Sequence, residues 1–155
     1  LQQETTAAQL GLLADDILRY HGLGCRSVSC VLVPVGYPLH ALCERLENAA
    51  PHSFAVTGKT VLRYERAQLA MSGAKIEPCQ AIIVQHADQV GPGRLGVLNI
   101  VTYSDRVAAD AMLAAAAADI QCIVGTEAVP FGQSQCPTLD DFADGVDTLA
   151  ILTRL

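Results

Sequence analysis

The sequence predicts an α/β fold: a three-layer arrangement with a mostly parallel sheet and helices on both faces. Three observations carry this. Continuous apolar runs stand at residues 28–33, 81–84, 95–101 and 120–124, and strands without a polar face belong to parallel sheets buried on both sides. Helical patterns separate these runs, the order that builds βαβ units. A chain of 155 residues with 51% hydrophobic content is long enough to bury one proper core. We therefore read residues 1–155 as a single domain.

Thr6 and Gln9 have the spacing of a capping box, which opens a helix running to about Tyr20. Leu10, Leu13, Ala14, Ile17 and Leu18 form its apolar stripe, with Asp15, Asp16 and Arg19 assigned to the wet side. Gly22 and Gly24 stop it. Cys25, Arg26 and Ser27 follow, then the valine-rich strand at 28–33, ended by Pro34 and Gly36. A helix is expected at 39–49, with Leu39, Leu42, Cys43 and Leu46 inward. Residues 51–60 read as a polar turn with Gly58 and Lys59 at its tip, and 64–71 as helix stopped by Gly73. Strands are predicted at 80–86 and 95–101, joined by a loop through Gly91, Pro92 and Gly93. Ser104 and Asp105 cap an alanine-rich helix to about Ala118, and 119–125 reads as a further strand. The tail is loop-like to Pro137, then a short helix and an apolar segment at 146–152.

Composition excludes several function classes. The formal net charge is −6 and the ten Lys and Arg are scattered, so no basic patch is available for nucleic acid. No apolar run approaches a membrane span; residues 111–118 are too few and too rich in alanine. The first residues lack the basic start and apolar core of an export signal, and the expected compartment is the cytoplasm. Six cysteines stand at 25, 30, 43, 79, 122 and 136 in no zinc-binding spacing, so no metal site is predicted and reduced thiols are expected. No GxGxxG turn follows a strand, so no dinucleotide-binding half is legible.

Cys25 is the principal chemical candidate. In a chain with six cysteines a packed structural thiol is the default reading. Its place between a helix end and a strand, beside Gly24 and Arg26, favours reactivity instead. A thiol suits acyl transfer because sulfur is a soft nucleophile and a thioester is a good acyl carrier. A helix C-terminus opposes thiolate formation, so activation falls to backbone N–H groups of the turn or to a base elsewhere. His21, His40, His52 and His86 are the possible partners, and nothing in the sequence selects one. The cluster Asp140, Asp141, Asp144 and Asp147 lacks calcium-loop spacing and reads as a solvated helix face with one or two caps.

The run HGLGCRSVSCVLVP, with LADDILRY before it, resembles the active-site stretch of LuxC-type acyl-CoA reductases of the aldehyde dehydrogenase superfamily. GVLNIVTYSD and DIQCIVG resemble later strands of that family, and VPFGQSQCPTLDDFADGVDTLAIL its C-terminal signature. The resemblance implies reduction of an acyl-CoA thioester to an aldehyde with NADPH. Cys25 is then the catalytic nucleophile, the backbone at Cys25 and Arg26 the oxyanion support, and Gly24, Phe131 and Gly132 the active-site loops. Gly22-Leu23-Gly24-Cys25 departs from the G-Q-x-C pattern of many superfamily dehydrogenases and fits the reductase branch.

Superfamily chains are much longer and place the nucleotide-binding domain before the cysteine. The chain is thus expected to be part of a longer homo-oligomeric reductase. NADPH would bind mainly to an upstream domain, which would also supply the general base and the side-chain oxyanion donor. Alone, the chain is expected neither to bind NADPH tightly nor to turn over acyl-CoA. The alternatives are an aldehyde-oxidising catalytic domain and a non-catalytic interaction domain in which Cys25 is merely packed.

Overall fold

The computed structural model describes residues 1–22, 24–50, 56–142 and 145–154. Helix α1 (Ala7–Leu18) opens with the expected capping box: the Thr6 hydroxyl accepts from the Gln9 N–H, and the Gln9 carbonyl oxygen accepts from the Thr6 N–H. A 3-10 turn (Arg19–Gly22) completes it. Strand β1 (Cys30–Pro34), helix α2 (His40–Ala49) and helix α3 (Val56–Met71) follow. Strands β2 (Ile76–Glu77), β3 (Ile83–Ala87) and β4 (Val97–Tyr103) precede helices α4 (Arg106–Ala115) and α5 (Thr148–Leu152).

The sheet order is β1-β4-β3-β2. The strands β1, β4 and β3 are parallel, registered by Cys30 with Asn99 and by Ile83 with Val97. The two-residue β2 runs antiparallel along β3. Because side chains alternate across a strand, one sheet face gathers Val31, Val33, Val84, Leu98 and Ile100 with Leu10, Leu13 and Ile17 of α1 and Leu42 and Leu46 of α2. The opposite face packs Ile83 and Val97 against Leu69 of α3. This is the α/β, three-layer, mostly parallel architecture read from the apolar runs.

Four expectations are corrected. Asp16 is not on the wet side of α1: it is 2% exposed. It borders the apolar stripe, on the side opposite Asp15, where the 132–134 loop supplies it with backbone donors. Of the turn expected at 51–60, residues 51–55 lie outside the described residues, whereas Gly58 and Lys59 fall inside α3. One interior glycine costs a helix only about 1 kcal/mol, which the helix-forming residues around it outweigh.

The expected strand at 119–125 does not join the sheet. After a 3-10 turn (Ala117–Asp119) its only ladder contact among the described residues is an isolated bridge from Val124 to Val129. The Gly125 N–H donates to the Val129 carbonyl (2.9 Å) and the Val129 N–H to the Ile123 carbonyl (3.1 Å), so the backbone groups are spent locally. Lastly, Asp141 does not act as a solvated or capping carboxylate, because it pairs with Arg26. Asp147 does cap, accepting the Ala150 N–H at 2.8 Å to start α5. Asp144 lies outside the described residues.

Candidate thiol site

The segment between α1 and β1 folds into a tight turn, closed by the Ser27 N–H donating to the Gly24 carbonyl (2.9 Å). Cys25 and Arg26 are its two central residues. Their own N–H groups meet no acceptor among the described residues, while the next donor, the Val28 N–H, is held by the Asp16 carbonyl (3.1 Å). The Cys25 side chain is exposed. It stands at the edge of a cavity of about 460 Å³ that lies beside β1, under α4, and against residues 119–131.

The turn is gripped from the C-terminal tail. Arg26 is only 8% exposed, and its guanidinium spreads over three partners. Nε donates to the Ser134 carbonyl at 2.5 Å, one terminal nitrogen to the Cys122 sulfur at 3.3 Å, and the other pairs with Asp141 at 2.7 Å. A planar fork of fixed donors suits such divided work, and a lysine cannot reproduce it. On the far side of the same loop, the two carboxylate oxygens of Asp16 accept the N–H of Gly132 (2.6 Å) and of Ser134 (3.0 Å). Ser134 is thus held by its carbonyl and by its amide, by two buried charges from opposite ends of the α1–β1 connection.

Two glycines here are closely approached by side chains, and the second also has a positive φ. A Cβ on Gly24 would lie 3.0 Å from both the Gln135 amide nitrogen and the Ser27 hydroxyl, which are themselves hydrogen bonded at 3.3 Å. Gly132 adopts φ +83, and its Cβ would come 3.0 Å from Leu12 Cδ2.

Of the residues singled out from the sequence, Cys25, Arg26 and Phe131 all line the cavity. Gly132 does not present a free donor to it, because Asp16 takes its N–H. Gly24 supports the turn from behind. Neither of the two histidines with described side chains reaches the cavity: His86 is bonded to Glu77 at 2.5 Å on β3, and His40 starts α2. His52 and the side chain of His21 lie outside the described residues. Asp16, Ser134 and Asp141 were missed as parts of the site. The signal for Asp16 was an acid bordering an apolar stripe; for Ser134 and Asp141 no local pattern exists, since their partner is more than a hundred residues away in the chain.

The thiols around the cavity are not equivalent. Burial pushes Cys30 up to about 11. Burial also raises Cys122, with Arg26 acting against it. Both stay protonated near neutral pH, and a thiol is far less nucleophilic than its thiolate. The apolar runs that hold Cys30 and Cys122 do not shield them as Cys79 is shielded. Both are half-buried: β1 is an edge strand facing the cavity, and the 119–125 segment is not a strand at all. Cys43 and Cys79 are buried, and Cys136 is exposed in its loop. Brief alkylation of the folded protein, read by peptide mass spectrometry, is expected to label Cys25 and Cys136 first and Cys43 and Cys79 last. Early labelling of Cys43 or Cys79 would contradict this packing.

Among the described residues no helix is long and apolar enough to cross a membrane. No protein-family model and no curated protein matches the chain. Among solved structures, that of a bifunctional proline utilization A (PutA) protein matches with a TM-score of 0.46 and 14% identity. The match covers 68% of this chain and 13% of that one. A likeness this distant adds nothing to the reading of the site, which rests on the residues themselves.

Proposed function

We propose that this chain carries the acyl-accepting thiol of an acyl-CoA reductase. The observation behind this reading is the placement of Cys25: an exposed thiol on a turn clamped at both ends, at a cavity edge, beside two backbone N–H groups without acceptors among the described residues. The resemblance of HGLGCRSVSCVLVP to the active-site stretch of the LuxC-type reductases supports it from the sequence side.

In the proposed step the Cys25 sulfur attacks the acyl carbonyl carbon, forming a C–S bond. The carbonyl oxygen becomes an oxyanion, to which the amides of Cys25 and Arg26 donate in this reading. The bond to the CoA sulfur then breaks. CoA departs as a thiolate and recovers a proton equivalent to the one lost by Cys25, leaving the acyl group as an enzyme thioester.

Reduction of that thioester requires a hydride donor, and NADPH is the one the resemblance implies. The helix starts next to the sheet do not offer its phosphates a ready site. The α4 N-terminus, a natural anion site, is occupied by the Asp105 carboxylate, which accepts the Ala108 N–H at 2.9 Å. No Lys or Arg stands in the turn before α2 to meet a phosphate. We assign NADPH, the general base and the assembly contacts of the proposed homo-oligomer to parts of a longer protein.

Incubation with a medium-chain acyl thioester of N-acetylcysteamine, followed by intact-mass and peptide analysis, tests the acyl-transfer step. One acyl group is expected on Cys25, released by hydroxylamine and absent from Cys25→Ala. Serine is not expected to rescue, since an unactivated hydroxyl is a poor nucleophile near neutral pH. Acylation of Cys136 at the same rate as Cys25, or of neither, would overturn the assignment.

A further inference from the structure

Two cysteines that do not line the cavity at Cys25 lie in the core between the sheet and α2. Cys43 sits on the buried stripe of α2, and Cys79 in the turn that leads from β2 into β3; they are 6% and 3% exposed. The two thiols lie close enough to shift one another's titration, Cys43 upward and Cys79 downward. Both residues belong to one apolar cluster, so neither sulfur is there to meet solvent.

The surrounding backbone is fixed from two helices. One turn further along α2, the Glu47 carboxylate accepts the Gln80 N–H at 2.8 Å. From α3, Arg66 donates to the Cys79 carbonyl at 2.9 Å. The approach of α2 to the turn bearing Cys79 is therefore held by bonds on both flanks and does not depend on the thiols alone.

From this juxtaposition we infer that Cys43 and Cys79 form a dithiol site that closes to a disulfide under a hydroperoxide, joining α2 to the turn before β3. The chemistry balances in two steps. The Cys79 sulfur attacks the nearer peroxide oxygen, the O–O bond breaks, and Cys79 becomes a sulfenic acid while hydroxide or an alcohol leaves. The Cys43 sulfur then attacks the Cys79 sulfur; the S–O bond breaks, water departs with the Cys43 proton, and the S–S bond forms.

Cys79 is assigned the first attack because it stands in a turn whose local opening frees it, whereas Cys43 is fixed on the buried face of α2. The interaction with Cys43 acts in the same sense, lowering Cys79 against the opposing effects of burial and Glu47. Cys43 is shifted upward by the same interaction, by burial, and by the charges of Cys79, Glu77 and Glu47. A hydroperoxide is small enough to reach the pair during the local openings that also expose buried amides to exchange. This site is independent of the acyl-transfer reading.

The test treats the full chain with hydrogen peroxide, blocks remaining thiols with iodoacetamide under denaturing conditions, and digests without reduction. A peptide pair linked through Cys43 and Cys79, two hydrogens lighter than the sum of its halves and lost on treatment with dithiothreitol, is expected. In Cys43→Ser the link is expected to vanish, with Cys79 trapped by dimedone as a sulfenic acid. Recovery of Cys43 and Cys79 as alkylated thiols, under oxidation that fully modifies Cys25, would overturn the inference. So would a linked pair joining either of them to another cysteine instead. The wild-type digest decides the matter even where the serine variant does not fold.

Discussion

Arg26→Ala is expected to lower the unfolding free energy by about 3–5 kcal/mol, the usual cost of breaking a buried charge pair from one side. The guanidinium answers the Ser134 carbonyl, the Asp141 carboxylate and the Cys122 sulfur together, and alanine leaves all three without it. Asp141 is one-third exposed and recovers some solvent, which places the loss toward the lower end of the range. The Ser134 carbonyl belongs to a fully buried residue and recovers little. Arg26→Lys is expected to restore less than half, since one ammonium cannot follow three directions. Urea denaturation of the three proteins measures this. The same loss should blur the site, because the turn bearing Cys25 is gripped through its neighbour; the alkylation rates of Cys25 and Cys136 should draw together. A loss below about 1 kcal/mol would mean that the clamp is a bystander.

Asp16→Ala is expected to be comparably severe, at about 2–6 kcal/mol. It strands two buried amides, those of Gly132 and Ser134, and each unmet donor costs about 1–3 kcal/mol. Asp16→Asn should fall between, because its amide retains one acceptor and turns a donor toward the other N–H. The double variant gives the more telling number. Both side chains hold Ser134, so the losses should fail to add, with a coupling of about 0.5–3 kcal/mol in a double-mutant cycle. Strict additivity would show that the two grips act on separate parts of the structure.

The elements that the sequence foretold are those fixed by local chemistry. The Thr6–Gln9 box needs only four residues, and it is present with both of its bonds. Asp105 caps α4, and Leu39, Leu42, Cys43 and Leu46 turn inward as their spacing requires. The parallel order of β1, β3 and β4 follows from runs that are apolar on both faces. What failed was decided at a distance. DIQCIVG has the composition of a strand, yet its segment bends back on residues 125–129 and yields the Cys122 sulfur to Arg26. Asp16 was assigned to water because its donors lie in a loop 116 residues onward. The reactive turn was legible as a glycine-bounded cysteine, whereas the clamp holding it was not, since no spacing rule connects Arg26 to Asp141.

The placement of β1 at the sheet edge, with β4 as its neighbour, has a consequence for how the chain reaches this state. Cys30 and its register partner Asn99 are separated by roughly 70 residues, and closing a loop of that length precedes any reward from the ladder. On a ribosome adding about 5–20 residues per second, β1 waits on the order of 4–14 s for its partner to be made. During that interval α1 and α2 are its available cover: Leu13, Ile17, Leu42 and Leu46 can shelter Val31 and Val33 on one face, while Cys30 and Leu32 on the other stay open. The chain therefore passes through a stage in which a nascent αβα unit presents a bare, thiol-bearing strand to its surroundings. Its yield on synthesis should depend on how quickly β4 arrives, and on how well solvent thiols are kept reduced until it does.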